Sequence, residues 1–210
     1  MKFKVYKKEK QLRNEKFYFN DQKIILIFHG LFGRAKNWHS IALRISSKFD
    51  GTIIVFDLRN HGESPWSNSM KWEEMSADLV YYLKSEGIDK PIYLIGHSLG
   101  GKIAMHFATA YSDRVSKLVI IDIVPKSYAP HYKSEFEAMI KLDLEKCESR
   151  QWVSKALEGA IPEASFRESL ITNLTRKEGS FSWKPNLRVL YENLEVIRKN
   201  PLSKNLTYNG

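Results

Sequence analysis

Short apolar runs separated by longer amphipathic stretches form the main pattern of the first 130 residues. Runs of this length that are rich in isoleucine and valine are typical of strands buried on both faces of a sheet. Four such runs predict four strands, at Ile24–Phe28, Ile53–Phe56, Ile92–Ile95 and Leu118–Ile123. Two earlier segments, Lys2–Lys8 and Glu15–Asn20, predict an edge hairpin or meander.

The stretches between these runs have helical periodicity. Apolar side chains at i, i+3, i+4 and i+7 form one stripe on a helix, and this spacing occurs at Trp38, Ile41, Ala42 and Ile45. A second stripe, at Trp72, Met75, Leu79 and Leu83, ends at Gly87, which is placed to close the helix. A third helix is predicted over Lys102–Tyr111. Strands that alternate with helices predict an α/β fold with a mostly parallel sheet flanked by helices.

The pattern changes after Pro125. Helical periodicity appears at Lys133–Leu144, Ser149–Glu158 and Asn186–Lys199, and residues 131–200 show no convincing strand. Ligands of open α/β sheets bind at the carboxyl ends of the strands. We therefore interpret residues 131–200 as a helical lid, or cap, over an α/β core at 1–130. Residues 201–210 would then begin a further core segment within the same single domain.

Composition narrows the class of protein. The 210 residues include 33 lysines and arginines against 24 acidic residues, so the net charge is +9. These cations are scattered and form no nucleic-acid motif, which favours a solvated surface over a DNA or RNA partner. The N-terminal residues form no secretory signal and no run is long enough to span a membrane. The single cysteine, Cys147, is compatible with a reducing compartment, and we expect a cytoplasmic protein.

The segment with the clearest chemistry is Gly96-His97-Ser98-Leu99-Gly100-Gly101. It follows a predicted strand and precedes a predicted helix, which is the context that a G-x-S-x-G turn requires. Glycines two residues before and after the serine remove the Cβ atoms that would clash in so tight a turn. Ser98 would lie at a helix N-terminus, where free amides favour a developing negative charge. The motif predicts a nucleophilic serine.

Two further polar segments follow predicted strands. His29-Gly-Leu-Phe-Gly33 comes directly after the first buried strand, and Asp57-Leu-Arg-Asn-His-Gly-Glu-Ser64 comes after the second. We interpret Asp57, Arg59 and His61 as residues that stabilise a turn through hydrogen bonds and ion pairs. His97, inside the serine turn, is interpreted as a packing and orienting residue.

The segments HGLFG, DLRNHGES, GHSLGGK and LVIIDIVP, in this order, resemble the α/β-hydrolase superfamily. They are most similar to small bacterial serine esterases acting on acyl esters and acyl-CoA thioesters. The resemblance covers about the first 130 residues. It implies a catalytic Ser98 and an oxyanion hole formed by the backbone amides of Leu31 and Leu99. Phe32 is the alternative to Leu31. We expect no metal or other cofactor, since no cluster of histidine, cysteine and aspartate has ligand spacing.

The same resemblance implies an acid and a histidine base, in that order, after the serine. Asp122, at the end of its predicted strand, is our candidate acid. Only His106 and His131 follow Ser98. His106 lies eight residues along the helix, roughly 12 Å away, and should not reach the serine. His131 begins the lid and is the alternative base. We expect the catalytic histidine to be missing and the chain to be truncated before the final strands.

The predicted function is therefore a serine carboxylesterase or acyl-thioesterase with a small-molecule acyl ester or thioester as substrate, impaired by the missing base. Hydrolysis of a carbon–carbon bond by the same serine remains open. A ligand-binding protein of the same fold without turnover is the alternative from another class. Nucleic-acid binding ranks far below both, and the oligomeric state is open.

Overall fold

A computed structural model describes residues 1–12, 23–129, 131–177, 179–202 and 207–210. Its main sheet has six strands in the order β2-β1-β4-β3-β5-β6. They are β1 (Lys2–Lys7), β2 (Lys10–Leu12), β3 (Lys23–Phe28), β4 (Gly51–Asp57), β5 (Ile92–His97) and β6 (Val115–Ile121). Strands β4, β3, β5 and β6 are parallel, and β1 runs antiparallel to both β2 and β4. The α/β class and the positions of the four predicted strands are confirmed. The burial predicted for the fourth strand was wrong, because β6 ends the order of described strands and its Val119 and Ile121 are exposed.

The first hairpin differs from the prediction in its second strand. β1 pairs with β2, so that Val5 lies opposite Leu12 and Lys7 opposite Lys10. The turn between them uses Lys8 and Glu9, which both have positive φ. The segment proposed as the second strand, Glu15–Asn20, lies outside the described residues.

Three helices connect the parallel strands, namely α1 (His39–Ser46), α2 (Trp72–Ser85) and α3 (Leu99–Ala110). The predicted stripe of α2 is buried along its whole length. Gly87 follows this helix with φ +64°, as expected for a residue that closes a helix in the left-handed region. The stripe predicted for α1 is wrong at Ile41, which is exposed, whereas Ala42 is fully buried. A helix this short on an outer face covers too little of the sheet to bury all four positions.

The pleat of the sheet divides its side chains between two hydrophobic clusters. Successive residues of a strand point to opposite faces, so Ile25, Ile27, Ile53 and Val55 pack with Trp38 and Ala42 on the α1 side. The alternating residues of the same strands pack against α2 and α3. This second cluster continues without a break into residues 131–200.

Residues 131–200, here called the cap, follow β6. The elements of the cap are α4 (Lys133–Lys141), α5 (Arg150–Leu157), α6 (Ala164–Ile171), β7 (Leu174–Lys177), β8 (Ser180–Trp183), α7 (Leu187–Glu192) and α8 (Leu194–Arg198). α5 begins where predicted, since the Ser149 hydroxyl accepts a hydrogen bond from the amide of Trp152 at 3.1 Å. The stretch Asn186–Lys199 forms two short helices instead of one.

The expectation that the cap contains no strand was wrong. β7 and β8 form an antiparallel hairpin in which Leu174 lies opposite Trp183. Both strands have four residues. β7 is mostly polar and β8 alternates serine with an aromatic residue, so neither has the apolar run by which the other strands were predicted. Leu174 is buried, and Phe181 and Trp183 pack against the second cluster, the one on the α2 and α3 side of the sheet. Tertiary packing therefore stabilises this hairpin, and its sequence pattern alone is weak.

The division of the chain at residues 130 and 200 stays a prediction.

The cap lies over the carboxyl ends of the parallel strands, because Phe32, which follows β3, packs against Phe136 of α4. The described helices include none with both the length and the apolar character that a bilayer crossing requires.

Candidate active site

Ser98 occupies a strained turn between β5 and α3. Its φ and ψ are 50° and −116°, a region that residues with side chains rarely adopt. A Cβ at Gly96 would lie 2.4 Å from the carbonyl oxygen of Gly100, and a Cβ at Gly100 would lie 2.5 Å from that of His29. Both glycines are therefore required by close backbone approach, as the motif predicted.

α3 begins at Leu99, three residues before the predicted start. The two glycines at 100 and 101 are poor helix formers, which is why periodicity placed the start at Lys102. Gly100 donates to the carbonyl of His29 at 3.1 Å, and the Lys102 amide donates to that of Ser98 at 3.1 Å. In the described part of the chain the Leu99 amide donates to no protein acceptor. Ser98 thus lies at the positive end of a three-turn helix beside a free amide.

Residues 30–33 form a tight turn against the serine. Gly33 donates to the carbonyl of Gly30 at 2.9 Å, and Phe32 has φ +61°. Gly30 approaches the serine so closely that a Cβ there would lie 3.2 Å from the Cβ of Ser98 and 2.9 Å from Nδ1 of His97. Within the described residues, neither the Leu31 nor the Phe32 amide has an acceptor. The 30–33 turn therefore presents free amides next to Ser98.

His29 connects this turn to the neighbouring strand. Its Nδ1 donates to the carbonyl of Gly30 at 2.8 Å, and its Nε2 accepts from the amide of Leu58 at 3.1 Å. Complete burial and, to a smaller extent, the nearby His97 lower the pKa of His29 to about 4. A neutral ring with the proton on Nδ1 satisfies both bonds. His29 is thus a buried support of the site, a role that the sequence analysis did not assign.

The segment 57–64 is structural, and that prediction is confirmed. The Asp57 carboxylate accepts from the amides of Ala35 at 2.6 Å and Glu63 at 2.9 Å, and burial raises its pKa. Arg59 pairs with Glu74 at 2.6 Å and Asp78 at 2.7 Å. His61 is buried and donates from Nδ1 to the carbonyl of Arg59 at 3.0 Å. Burial lowers the pKa of His61 to about 3.

A cavity of about 220 Å³ brings the predicted site residues together. It lies between the core and the cap, and Ser98, Leu99, Leu31 and Asp122 all line it. Asp122 follows β6 with φ +56°. Its side chain is 85% exposed, and its Oδ2 lies 3.8 Å from Nε2 of His97. The candidate acid is therefore at the mouth of the same cavity as the serine.

Lys102 attaches the end of the cap to this cavity wall. Its Nζ donates to the carbonyls of Arg198 and Lys199, each at 2.7 Å, and lies 4.8 Å from the ring centre of Tyr128. Burial and, to a smaller extent, the nearby Arg198 lower the pKa of Lys102 to about 8. The ammonium occupies the C-terminal end of α8, where carbonyls without helical partners favour a cation.

Most of the six histidines are engaged away from the serine. His106 bonds through Nδ1 to the Ser76 hydroxyl at 2.8 Å on the α2 side, which agrees with the expectation that it does not reach Ser98. His39 contacts the Tyr6 hydroxyl at 3.3 Å. His131 lines the cavity that contains Ser98. Among the described residues, none forms a hydrogen bond with the Ser98 hydroxyl.

Comparison with known proteins agrees with the observed fold. A family model described as alpha/beta hydrolase fold matches residues 23–147. The sn-1-specific diacylglycerol lipase ABHD11 of Danio rerio is 34% identical over 196 residues, which cover 90% of this chain and 61% of that protein. Esterase YbfF of Escherichia coli is 35% identical over 174 residues, which cover 82% and 65% of the two chains. This chain thus spans less than two thirds of either relative.

Solved structures give the same result. A marine microorganism esterase superposes with a TM-score of 0.84 at 30% sequence identity, over 96% of this chain and 74% of the esterase. The matched family region contains the serine turn, the 30–33 turn and Asp122. The chain therefore belongs to the α/β-hydrolase family.

Proposed function

We propose that the chain is a serine hydrolase of acyl esters or acyl thioesters, with Ser98 as nucleophile. One observation carries the proposal. The strained Ser98 lies at the N-terminus of α3, in a cavity that it shares with Leu31 and Leu99, whose amides have no acceptor among the described residues. The named activities of the relatives, a diacylglycerol lipase and an esterase, support acyl esters as the substrate class.

In the proposed reaction the Ser98 hydroxyl attacks the acyl carbonyl carbon and loses its proton to a base. The carbonyl oxygen becomes an oxyanion, which accepts hydrogen bonds from the amides of Leu31 and Leu99, with Phe32 as the alternative to Leu31. Amides fixed in this way stabilise the transition state more than the substrate. Collapse of the tetrahedral intermediate expels the alcohol or thiol, and water then releases the acid from the serine.

Asp122 is proposed as the acid that orients the imidazole of the base. Four of the six histidines lie away from the serine or are buried in neutral form. His97 precedes the serine and faces Asp122, and His131 lines the cavity without a bond to the Ser98 hydroxyl. We propose that none of the six is the catalytic base. Loss of a triad member lowers kcat on the order of a millionfold, about 8 kcal/mol of barrier.

Binding without turnover is the second candidate function. The missing hydrogen bond between the Ser98 hydroxyl and a histidine favours it.

We further propose a reducing compartment such as the cytoplasm, with which the free, buried thiol of Cys147 is consistent.

Hydrolysis of p-nitrophenyl acetate and butyrate by the chain and its Ser98→Ala and His131→Gln variants tests the proposal. We expect slow hydrolysis above the buffer rate, abolished by Ser98→Ala and unchanged in His131→Gln. Fast turnover that both variants abolish would make His131 the base and contradict the proposed impairment. Identical rates for the chain and Ser98→Ala, with saturable binding of an acyl ester, would favour binding without turnover.

A further inference from the structure

Asn173 begins a potential glycosylation sequence, Asn173-Leu-Thr, but it is only 1% exposed. Its side-chain nitrogen Nδ2 donates to the carbonyl of Phe32 at 2.7 Å, across 141 residues of sequence. The folded chain therefore leaves no room for a glycan there. We propose instead that Asn173 is a positioning residue through which the cap holds the 30–33 turn, and with it the oxyanion hole. The inference rests on the proposed function, because it concerns the same reaction.

The backbone of Asn173 is itself held on both sides. Its amide donates to the carbonyl of Leu170 in α6 at 2.9 Å, and its carbonyl accepts from the amide of Lys184 after β8 at 3.0 Å. Its other side-chain atom, Oδ1, has no partner among the described residues although it is buried. Among the described residues, the side-chain amide of Asn173 is thus oriented by its one hydrogen bond, to the Phe32 carbonyl. A buried polar atom without a partner is unfavourable, so the unpaired Oδ1 is the cost of this orientation.

The ring of Phe32 is held by the cap as well. Its centre lies 4.6 Å from that of Phe136, 6.1 Å from that of Tyr132 and 6.4 Å from that of Phe166. A phenylalanine with φ +61° is strained and persists only when its surroundings support it. The cap supplies that support to both the carbonyl and the ring of Phe32.

These contacts determine where the free amides point. The bond from Asn173 fixes the peptide group between Phe32 and Gly33, and the amide of that same peptide closes the turn on Gly30. With both ends of the turn fixed, the peptides that carry the Leu31 and Phe32 amides have one orientation, beside Ser98. If the Asn173 bond is lost, the turn can relax and the oxyanion donor moves. A displacement of about 1 Å can cost a hundredfold in rate.

The test compares Asn173→Asp with Asn186→Asp. The first change keeps the size of the side chain but replaces the donor by a carboxylate that repels the Phe32 carbonyl. Asn186 also joins the cap to the core, since its Nδ2 donates to Oδ1 of Asn60 at 3.3 Å, but it forms no hydrogen bond with residues 30–33 among the described residues. We expect the Ser98-dependent kcat for p-nitrophenyl butyrate to fall about tenfold to a hundredfold in Asn173→Asp, with KM unchanged. Asn186→Asp should stay within about twofold in both constants.

Equal kcat values for the two variants, or a loss in Asn173→Asp that matches its loss of folded protein, would overturn the inference. Amide hydrogen exchange of Gly33 gives a readout that needs no turnover. Exchange should be faster in Asn173→Asp and unchanged in Asn186→Asp, and unchanged exchange in both would also overturn the inference. If the unsubstituted chain shows no Ser98-dependent hydrolysis, the proposed function fails, and the exchange measurement still decides whether Asn173 holds the turn.

Discussion

The nucleophile side and the acid side of the cavity are constructed differently. Ser98 follows β5, which lies between β3 and β6, and its turn is in direct backbone contact with residues 28–30. Asp122 follows β6, which among the described strands has a neighbour on one side only. Val119 of β6 is 48% exposed, whereas Val55 of β4 is fully buried. The serine turn is therefore held by backbone contacts on the β3 side and by the bond from the Ser98 amide to the carbonyl of Ile121 at 3.0 Å. Within the described residues, the exposed Asp122 carboxylate has only His97 as a charged or hydrogen-bonding partner.

This difference shows which parts of the site the chain fixes by itself. Backbone contacts of the serine turn and the 30–33 turn leave no alternative arrangement, because the atoms involved are already at van der Waals distance. The exposed Asp122 carboxylate has no such constraint. Substitutions on the two sides should therefore have very different effects.

The largest effect is expected for Gly100→Ala. The added Cβ would lie 2.5 Å from the carbonyl oxygen of His29 and 2.6 Å from that of Phe28, and neither backbone atom can move without displacing β3. We expect a loss of about 3 kcal/mol or more in the free energy of unfolding, measured by urea denaturation. Gly159→Ala is the control, because a Cβ at Gly159 would meet no atom within 4 Å. Equal stability of the two variants would contradict the described contact between the turns.

The next largest effect is a loss of folding stability at acidic pH, which the buried histidines His29 and His61 should cause. Burial lowers the pKa of His29 to about 4 and that of His61 to about 3, below the usual value of about 6.5 in an unfolded chain. The unfolded chain therefore binds more protons between these values, and stability falls as the pH is lowered from about 6.5 towards 4. Each histidine contributes a slope of up to about 1.4 kcal/mol per pH unit.

His29→Gln tests the acid sensitivity, since an amide side chain can still donate to Gly30 and accept from Leu58. Urea denaturation at pH 7, 6 and 5 should give a smaller pH slope than that of the unsubstituted chain. An unchanged slope would show that His29 is not one of the groups that take up protons on unfolding.

The sequence predicted the core well because its elements follow local rules. The four parallel strands have apolar runs, and the glycines at 96 and 100 mark the serine turn. Ile41 was misassigned because a periodic stripe does not reveal how much of a short helix the sheet covers. The β7–β8 hairpin was missed because Leu174–Lys177 is mostly polar and the alternation in Ser180–Trp183 extends over only four residues.

The supports of the candidate site could not be read from local patterns. The bond from Asn173 to Phe32 spans 141 residues, and the bond from Leu58 to His29 links the residues that follow β4 and β3. A long-range contact of this kind leaves no periodicity in the sequence. The only local signal at Asn173 was the glycosylation sequence, which indicates an exposed residue and so points in the wrong direction.

A smaller effect should come from one substitution made in both regions. Val55→Ala on β4 removes apolar volume from a fully buried site, and Val119→Ala on β6 removes it from an exposed one. We expect a loss of about 2 kcal/mol for Val55→Ala and less than about 0.5 kcal/mol for Val119→Ala. Urea midpoints for the two variants provide the comparison. A loss at Val119 as large as that at Val55 would mean that β6 is covered in solution.

The most direct test of the central claim is the acylation state of Ser98 after incubation with p-nitrophenyl acetate, read by mass spectrometry of the intact chain and of its peptides. A nucleophile with an oxyanion hole but no effective base should acylate slowly and deacylate more slowly still, because water also needs a base to attack the acyl group. The account predicts one acetyl group per chain, located on the peptide that contains Ser98 and absent from the same peptide of Ser98→Ala. Acetyl groups found only on lysines, in equal amounts in the chain and in Ser98→Ala, would contradict it.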